Sequence, residues 1–376
     1  MTTRRAAALA LALLLGGCSV LDWFGPDKPK PKPLEAIAAP QTVARLAWSA
    51  RVSSIRMPLT VATAGDAFTV AASDGVVAAF APDSGRELWR AQLGTTLSAG
   101  VGSDGRTAAV VTRDGQLVAL EAGVTRWRKP VGTRVATAPL VAGARVFVLG
   151  VDRSVQAYDA QDGSKLWQVQ RSGDPLTLQQ TGVIGAFRNT LVVGQGPRLT
   201  GLDPSNGSVR WEVTIGTPRG ANEVERLADL VGPMLRIGST LCVRSFQAAV
   251  GCANGERGTL LWTKNVGGTD AVGGDAEYVF GADGSDRITA WRLADGTVAW
   301  SNESLLNHGL GAPAVFGDSV VWGAADGMLH FMSRTKGEAL QRLPTDGASV
   351  AAEPVVLKGT LLVVTRGGGL YAFRAP

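Results

Sequence analysis

The chain has 376 residues, 45% hydrophobic and 18% charged, with 48 glycines; this fits a folded, turn-rich globular protein and excludes a disordered one. Its formal charge of +5 gathers at the start: residues 1–45 hold six Lys/Arg against three Asp/Glu, a surplus of three, which leaves two for residues 46–376. No concentrated basic patch of the kind nucleic-acid binding needs is visible, so nucleic acid is not an expected partner.

Arg4 and Arg5 open the chain, and residues 6–15 form an apolar run too short to span a bilayer. Leu15-Gly16-Gly17-Cys18 follows and resembles the bacterial lipobox. The resemblance implies a lipoprotein signal peptide over 1–17, cleavage before Cys18, and lipid on its thiol and new amino group. The alternative is an ordinary secretory signal with an incidental cysteine. Position 19 is Ser rather than the Asp that marks inner-membrane retention in such lipoproteins, which points to an outer-membrane anchor. Residues 18–42 then form a tether. Within it, 24–40 read FGPDKPKPKPLEAIAAP, and the alternating Pro and Lys predict an extended, solvated, polyproline-like segment.

From residue 43 to 376 a repeat governs the chain. A glycine stands four places before a tryptophan at Gly85/Trp89, Gly123/Trp127, Gly163/Trp167, Gly207/Trp211, Gly258/Trp262 and Gly296/Trp300. Trp48 leads the column, and the slot after Gly337 holds Gln341. The spacings between slots are 41, 38, 40, 44, 51, 38 and 41 residues. Each interval contains short β-rich runs separated by turns, such as ARVFVLG, VQAYDA and KLWQVQ, with Asp-Gly turns at 74–75, 114–115 and 326–327. Four-stranded antiparallel units at this period describe blades of a β-propeller, an all-β fold.

A second column holds small residues on the strand before each glycine turn: Ala79, Ala119, Ala157, Gly201, Cys252 and Ala290. Each of the seven tryptophans, Trp48, Trp89, Trp127, Trp167, Trp211, Trp262 and Trp300, is expected to dock two blades. Its indole, on one outermost strand, should lie buried over the small residue of a neighbouring blade, covering roughly 150–250 Å² of aromatic surface per contact. Blades then dock by repetition rather than around one central core. Ala372 is the last small residue, and no Trp-bearing strand follows it. Trp48 in turn lacks preceding blade strands. The segment ARLAWSARV is therefore expected to complete the last blade and close the ring, which removes exposed edges. Eight slots predict eight blades.

The small residue, glycine turn and tryptophan resemble the docking repeat of the quinoprotein alcohol dehydrogenase-like propellers. With the lipobox, the Pro/Lys tether and a single ring, the chain resembles the BamB family, lipoproteins of the bacterial outer-membrane β-barrel assembly machinery. What this implies is a non-enzymatic scaffold on the periplasmic face of the outer membrane. The implied partners are the periplasmic domains of BamA, other members of that complex and, through loop faces or strand edges, nascent outer-membrane proteins. NEVERLADL, with Glu223, Arg226, Leu227 and Asp229, is similar to the family's acid-x-x-Arg-Leu-x-Asp stretch; Val231 stands where the family often has a second Asp. DPLTLQQ is similar to its Leu-polar-Leu-Arg stretch, giving Leu176, Leu178 and Gln179, with Gln in place of Arg. The resemblance implies partner binding at Leu176, Leu178, Gln179, Arg226 and Asp229. Without it, the leucines read as strand core and Asp229 as a turn cap.

Catalysis lacks a constellation. The chain has two histidines, His308 and His330, neither in a metal-ligand spacing. There is no nucleophile elbow and no phosphate-cradling motif; RGGGL at 366–370 reads as a hairpin turn. No catalytic residue, metal site or cofactor is expected beyond lipid on Cys18. The rival readings are a quinone-dependent dehydrogenase, whose adjacent cysteine pair and calcium-binding carboxylates are missing here, and a ligand-binding propeller. Cys242 and Cys252 lie on consecutive strands of one expected hairpin, close enough for a disulfide in an oxidising compartment, although Cys252 equally fills a small docking position.

Overall fold

The computed structural model describes residues 29–171, 177–218 and 220–376. They form eight antiparallel sheets arranged as the blades of one propeller. Among these residues seven blades have four strands; the first has three, Phe68–Ala71, Val76–Phe80 and Glu87–Gln92. A bridge between Ala62 and Thr69 marks the place of its innermost strand. Blade 3, by contrast, is complete: Leu140–Ala142, Arg145–Leu149, Ser154–Asp159 and Lys165–Gln170. Blade 8 takes its first three strands from Val355–Leu357, Thr360–Val364 and Gly369–Arg374, and its outermost from Arg45–Arg51. Trp48 there lies opposite Ala372.

The middle strands are continuous apolar runs, such as FTVA and VVAAF, buried on both faces. Alternate side chains point to opposite faces of a strand, so each blade feeds two cores. The buried side chains accordingly sort into apolar clusters at the junctions. Ala109, Val111, Val146 and Val148 pack between blades 2 and 3, and Phe147, Val155, Leu191 and Val193 between blades 3 and 4. The outermost strands face solvent on one side, as the exposed Leu88 and Leu166 show.

The docking geometry differs from expectation in two respects. The first is the position of the small residue. It is the cross-strand partner of the tryptophan in its own blade: Ala119 opposite Trp127, Gly201 opposite Trp211, Cys252 opposite Trp262. The neighbouring blade supplies the glycine. A Cβ on Gly163 would stand 2.6 Å from Cδ2 of Trp127, and one on Gly85 would stand 2.5 Å from Cδ2 of Trp48. The indole nitrogen then donates to a carbonyl of that same neighbour, Trp127 to Ala160 at 2.9 Å and Trp48 to Pro82 at 2.9 Å. The ring needs a flat patch free of bulky side chains on each side, and the two columns of small residues provide one each. The glycine turns also adopt positive φ, +72° at Gly163, where a Cβ is unwelcome.

The second is burial. Trp48, Trp127 and Trp262 are buried as expected, but Trp89, Trp167, Trp211 and Trp300 are only half-buried. The outermost strand is the rim of its blade. A ring held there is covered by its own sheet and by the neighbouring turn, with no further strand beyond to close over it. The docking itself persists at these positions. Trp89 lies opposite Ala79, Trp167 opposite Ala157 and Trp300 opposite Ala290. The indole nitrogens of Trp167 and Trp300 donate across the junction to the carbonyls of Pro204 at 3.0 Å and Arg334 at 2.9 Å. Trp89 makes the loosest contact of these. The turn that receives it is only Ala122-Gly123, between the paired Glu121 and Val124, and a Cβ on Gly123 would stand 3.4 Å from the ring. These half-buried rings cover less surface per contact than the fully buried figure.

Gln341 lies opposite Phe331 in blade 7. The blade it faces is the one whose outer strand comes from the start of the chain, so no glycine hairpin is available to receive an indole. Its amide meets the entering backbone instead. Oε1 accepts from the N–H groups of Val43 and Ala44, both at 2.9 Å, and Nε2 donates to the Ala44 carbonyl at 3.0 Å.

The tether is extended and its described residues are mostly exposed, but from residue 30 onward its backbone is also hydrogen-bonded to the ring. The Lys32 N–H donates to the Leu306 carbonyl at 2.9 Å and the Gln41 N–H to Leu340 at 3.0 Å. His308 Nε2 meets the Lys32 carbonyl at 2.8 Å, and Arg342 donates to that of Glu35 at 2.7 Å. The segment thus crosses the blade 6–7 connection and follows the outer strand of blade 7, Ala339–Pro344. Cys18 falls outside the described residues.

Candidate functional site

In each blade the chain runs from the ring centre outward, so one face carries the blade-to-blade connections and the turns between second and third strands. On this face the two stretches picked out above meet. Leu178 and Gln179 lie on the connection from blade 3 to blade 4, Arg226 and Asp229 on that from blade 4 to blade 5. The Leu178 N–H donates to Asp229 Oδ2 at 3.0 Å. Asp229 Oδ1 lies 3.5 Å from Nη2 of Arg153, and both side chains are largely buried. Arg153 sits in the turn between the second and third strands of blade 3, at φ +64°. The Asp229 carbonyl accepts from the Phe246 N–H of blade 5 at 2.9 Å.

Asp229 is therefore braced inward, tying blade 3 and the blade 3–4 connection to blade 5, rather than standing free at a rim. Leu178 is half-buried and lies outside any strand, while Gln179 and Arg226 are exposed. Asn222 caps the turn before Arg226, its Oδ1 accepting from the Glu225 N–H at 2.9 Å and its Nδ2 donating to Glu225 Oε1 at 2.9 Å. The cap holds Arg226 outward. Leu176 falls outside the described residues. Sequence reasoning missed Arg153 and Gln180, whose Nε2 reaches the Thr269 carbonyl at 3.3 Å; both read simply as turn or loop residues.

The ring centre opens on the same face as a channel of about 380 Å³, lined among others by Arg56, Gln180, Asp270, Glu353 and Arg366. Burial pushes the Glu353 carboxyl up to about 8 and raises Asp270 as well. Among the described residues, no group of three or more His, Cys, Asp or Glu is placed to hold a metal ion. Beside the channel, Arg244 is wholly buried, and burial pulls its guanidinium down to about 10. It donates to the carbonyls of Asp270 at 2.6 Å, Val266 at 3.2 Å, Gly267 at 3.1 Å and Ala282 at 2.9 Å, stitching blade 5 to blade 6. The signal for it was legible: a lone charge in the apolar run LCVRSF.

The two histidines, far apart in sequence, have ring centroids 5.9 Å apart. His330 is 2% exposed, its Nε2 has no hydrogen-bond partner among the described residues, and burial brings its pKa down to about 4. It faces the buried Trp322 across the sheet, which is a packing role. Cys242 and Cys252 lie directly opposite each other in blade 5, Cα atoms 4.1 Å apart, and are joined by a disulfide.

Comparison with known proteins places these features. Residues 73–302 match the family described as outer membrane protein assembly factor BamB. A relative of that name from Bordetella pertussis is 33% identical over 99% of this chain and 97% of its own length. The crystal structure of BamB from Moraxella catarrhalis superposes with a TM-score of 0.80 at 22% identity, covering 88% of this chain and all of that one. The quinohemoprotein alcohol dehydrogenase of Comamonas testosteroni shares the fold at a TM-score of 0.65 and 18% identity, over 92% of this chain and 79% of that one.

Proposed function

From the premise that the chain belongs to the BamB family of outer membrane protein assembly factors, we propose that it docks the periplasmic domains of BamA as a non-catalytic scaffold, tethered to the outer membrane by lipid on Cys18. The observation that carries the docking surface is the hydrogen bond between Leu178 and Asp229. It joins two stretches about fifty residues apart into one patch, with Gln179 and Arg226 turned to solvent. In this reading Leu178 and Gln179 make the contact, Arg226 orients it at the rim, and Asp229 and Arg153 hold the loop in shape. The tether meets the ring at the blade 6–7 connection, on the same face as this patch.

The test is capture of the BamA periplasmic fragment by Leu178→Ala with Gln179→Ala. We expect at least a tenfold loss of affinity, about 1.4 kcal/mol, with a melting temperature within a few degrees of wild type. Asp229→Ala weakens capture through the loop, and Asp229→Asn, which keeps an acceptor for the Leu178 N–H, weakens it less. Unchanged capture by the double variant would move the interface elsewhere. Capture by Cys18→Ser stays normal in solution, while its envelope fractionation shifts away from the outer membrane.

A further inference from the structure

We propose that a groove over blades 1–3, on the connection-bearing face, binds an extended acidic peptide segment of a partner protein through Arg56, Arg113 and Arg134. The groove measures about 900 Å³. Its accessible apolar lining comes from Pro58, Pro130, Ala136 and Val151, over the buried Met57, Leu97 and Val135. Its walls carry the three exposed arginines and one carboxylate, Asp114.

Among the described residues, none of these four charges forms an ion pair with another side chain. Three arginines against one aspartate give the groove a surplus of two positive charges. The arginines are also spread out: Arg56 on the connection from blade 8 to blade 1, Arg113 in a turn of blade 2, Arg134 on the connection from blade 2 to blade 3. An extended chain can meet all three, each guanidinium taking a carboxylate in the two-pronged geometry that suits it, while alternate apolar side chains settle on Pro58, Pro130, Ala136 and Val151. Strand-like alternation would turn the acidic residues to the charged walls and the apolar ones to the opposite side. The proposal does not rest on BamA docking, since the probe is a peptide alone.

The experiment is fluorescence anisotropy of the full-length lipoprotein in detergent with fluorescein-labelled Asp-Phe-Glu-Leu-Asp-Phe-Glu-Leu, and with the same peptide carrying Lys at every acidic position. The acidic peptide is expected to bind, more weakly as salt rises, and the Lys peptide not to bind. Arg56→Glu with Arg113→Glu and Arg134→Glu should weaken binding at least tenfold. Arg257→Glu, an exposed arginine on the opposite face, should leave it unchanged. No binding by the wild type, equal binding of the Lys peptide, or full binding by the triple variant overturns the proposal. So does displacement by inorganic phosphate at matched ionic strength, which would assign the groove to a phosphoryl anion.

Discussion

Replacing Trp127 by Ala removes one clasp between blades 2 and 3. The indole is 8% exposed, faces Ala119 across its own blade, lies under Gly163 of the next, and donates to Ala160. Burying roughly 200 Å² of ring at ~25 cal/mol per Å² is worth ~5 kcal/mol, and the hydrogen bond adds ~1 kcal/mol. Partial refilling of the space brings the expected loss to about 4 kcal/mol, within the range for buried aromatic truncations. Gly163→Ala should cost about 3 kcal/mol in the wild type, because its new Cβ meets the ring at 2.6 Å and its φ of +72° disfavours any side chain. In the Trp127→Ala background the ring is gone, the flexible Lys129 side chain 2.9 Å away can move aside, and the backbone strain remains, about 1 kcal/mol. Urea denaturation followed by circular dichroism on the four proteins of this cycle gives a coupling of about 2 kcal/mol. Additive losses, or a Trp127→Ala midpoint equal to that of Leu166→Ala at an exposed site on the neighbouring outer strand, would refute the clasp.

Gln341→Ala leaves the Val43 and Ala44 N–H groups and the Ala44 carbonyl without their partner; about 2 kcal/mol should be lost, with faster amide exchange over 43–50 than elsewhere. His330 is held neutral, its pKa about 4 in the fold against 6.5 when unfolded, so the unfolded chain binds the extra proton. Stability is then complete above pH 6.5 and falls as pH drops towards 4. Between pH 6.5 and 5 this amounts to about 2 kcal/mol, and His330→Gln should flatten that limb of a melting-temperature profile. The disulfide joins two wholly buried cysteines. Reductant alone should leave it intact in the native protein, and Cys242→Ala with Cys252→Ala should cost about 3 kcal/mol by chemical denaturation, the loop-closure value for so short a loop.

Blade number and strand pairing were legible because the same side chains recur at fixed offsets: an indole, a small residue opposite it, a glycine in a tight turn. Each column has a local steric reason, so spacing alone exposes it. What spacing does not carry is which of two small residues belongs to which side of the ring plane. Gly163 and Ala119 both make room for Trp127, and only coordinates tell neighbour from partner. Nor does it carry depth: Trp127 and Trp167 occupy the same slot, yet one ring is covered and the other half open. The contact between Asp229 and Leu178 was hidden for a different reason. It joins two irregular connections, where no periodicity reports which backbone N–H a carboxylate will meet. The laying of Lys32 and Glu35 along blades 6 and 7 was hidden too, since a Pro/Lys segment has the same composition whether it is solvated or rests on a surface. Gln341 was visible only as an interruption of the tryptophan column, and its meaning depends on where the chain ends meet.

That position bears on circular permutation. Eight similar blades suggest that the ends could be moved to any junction, but the residue facing each junction is fitted to what it meets. Suppose residue 376 were joined to 43 through a glycine turn and the chain reopened at the 161–164 turn of blade 3. Trp127 would then face two loose ends instead of a hairpin, and Gln341 would face a hairpin instead of two loose ends. The permuted chain would call for Gln at 127 and Trp at 341, an exchange of two side chains with every strand retained.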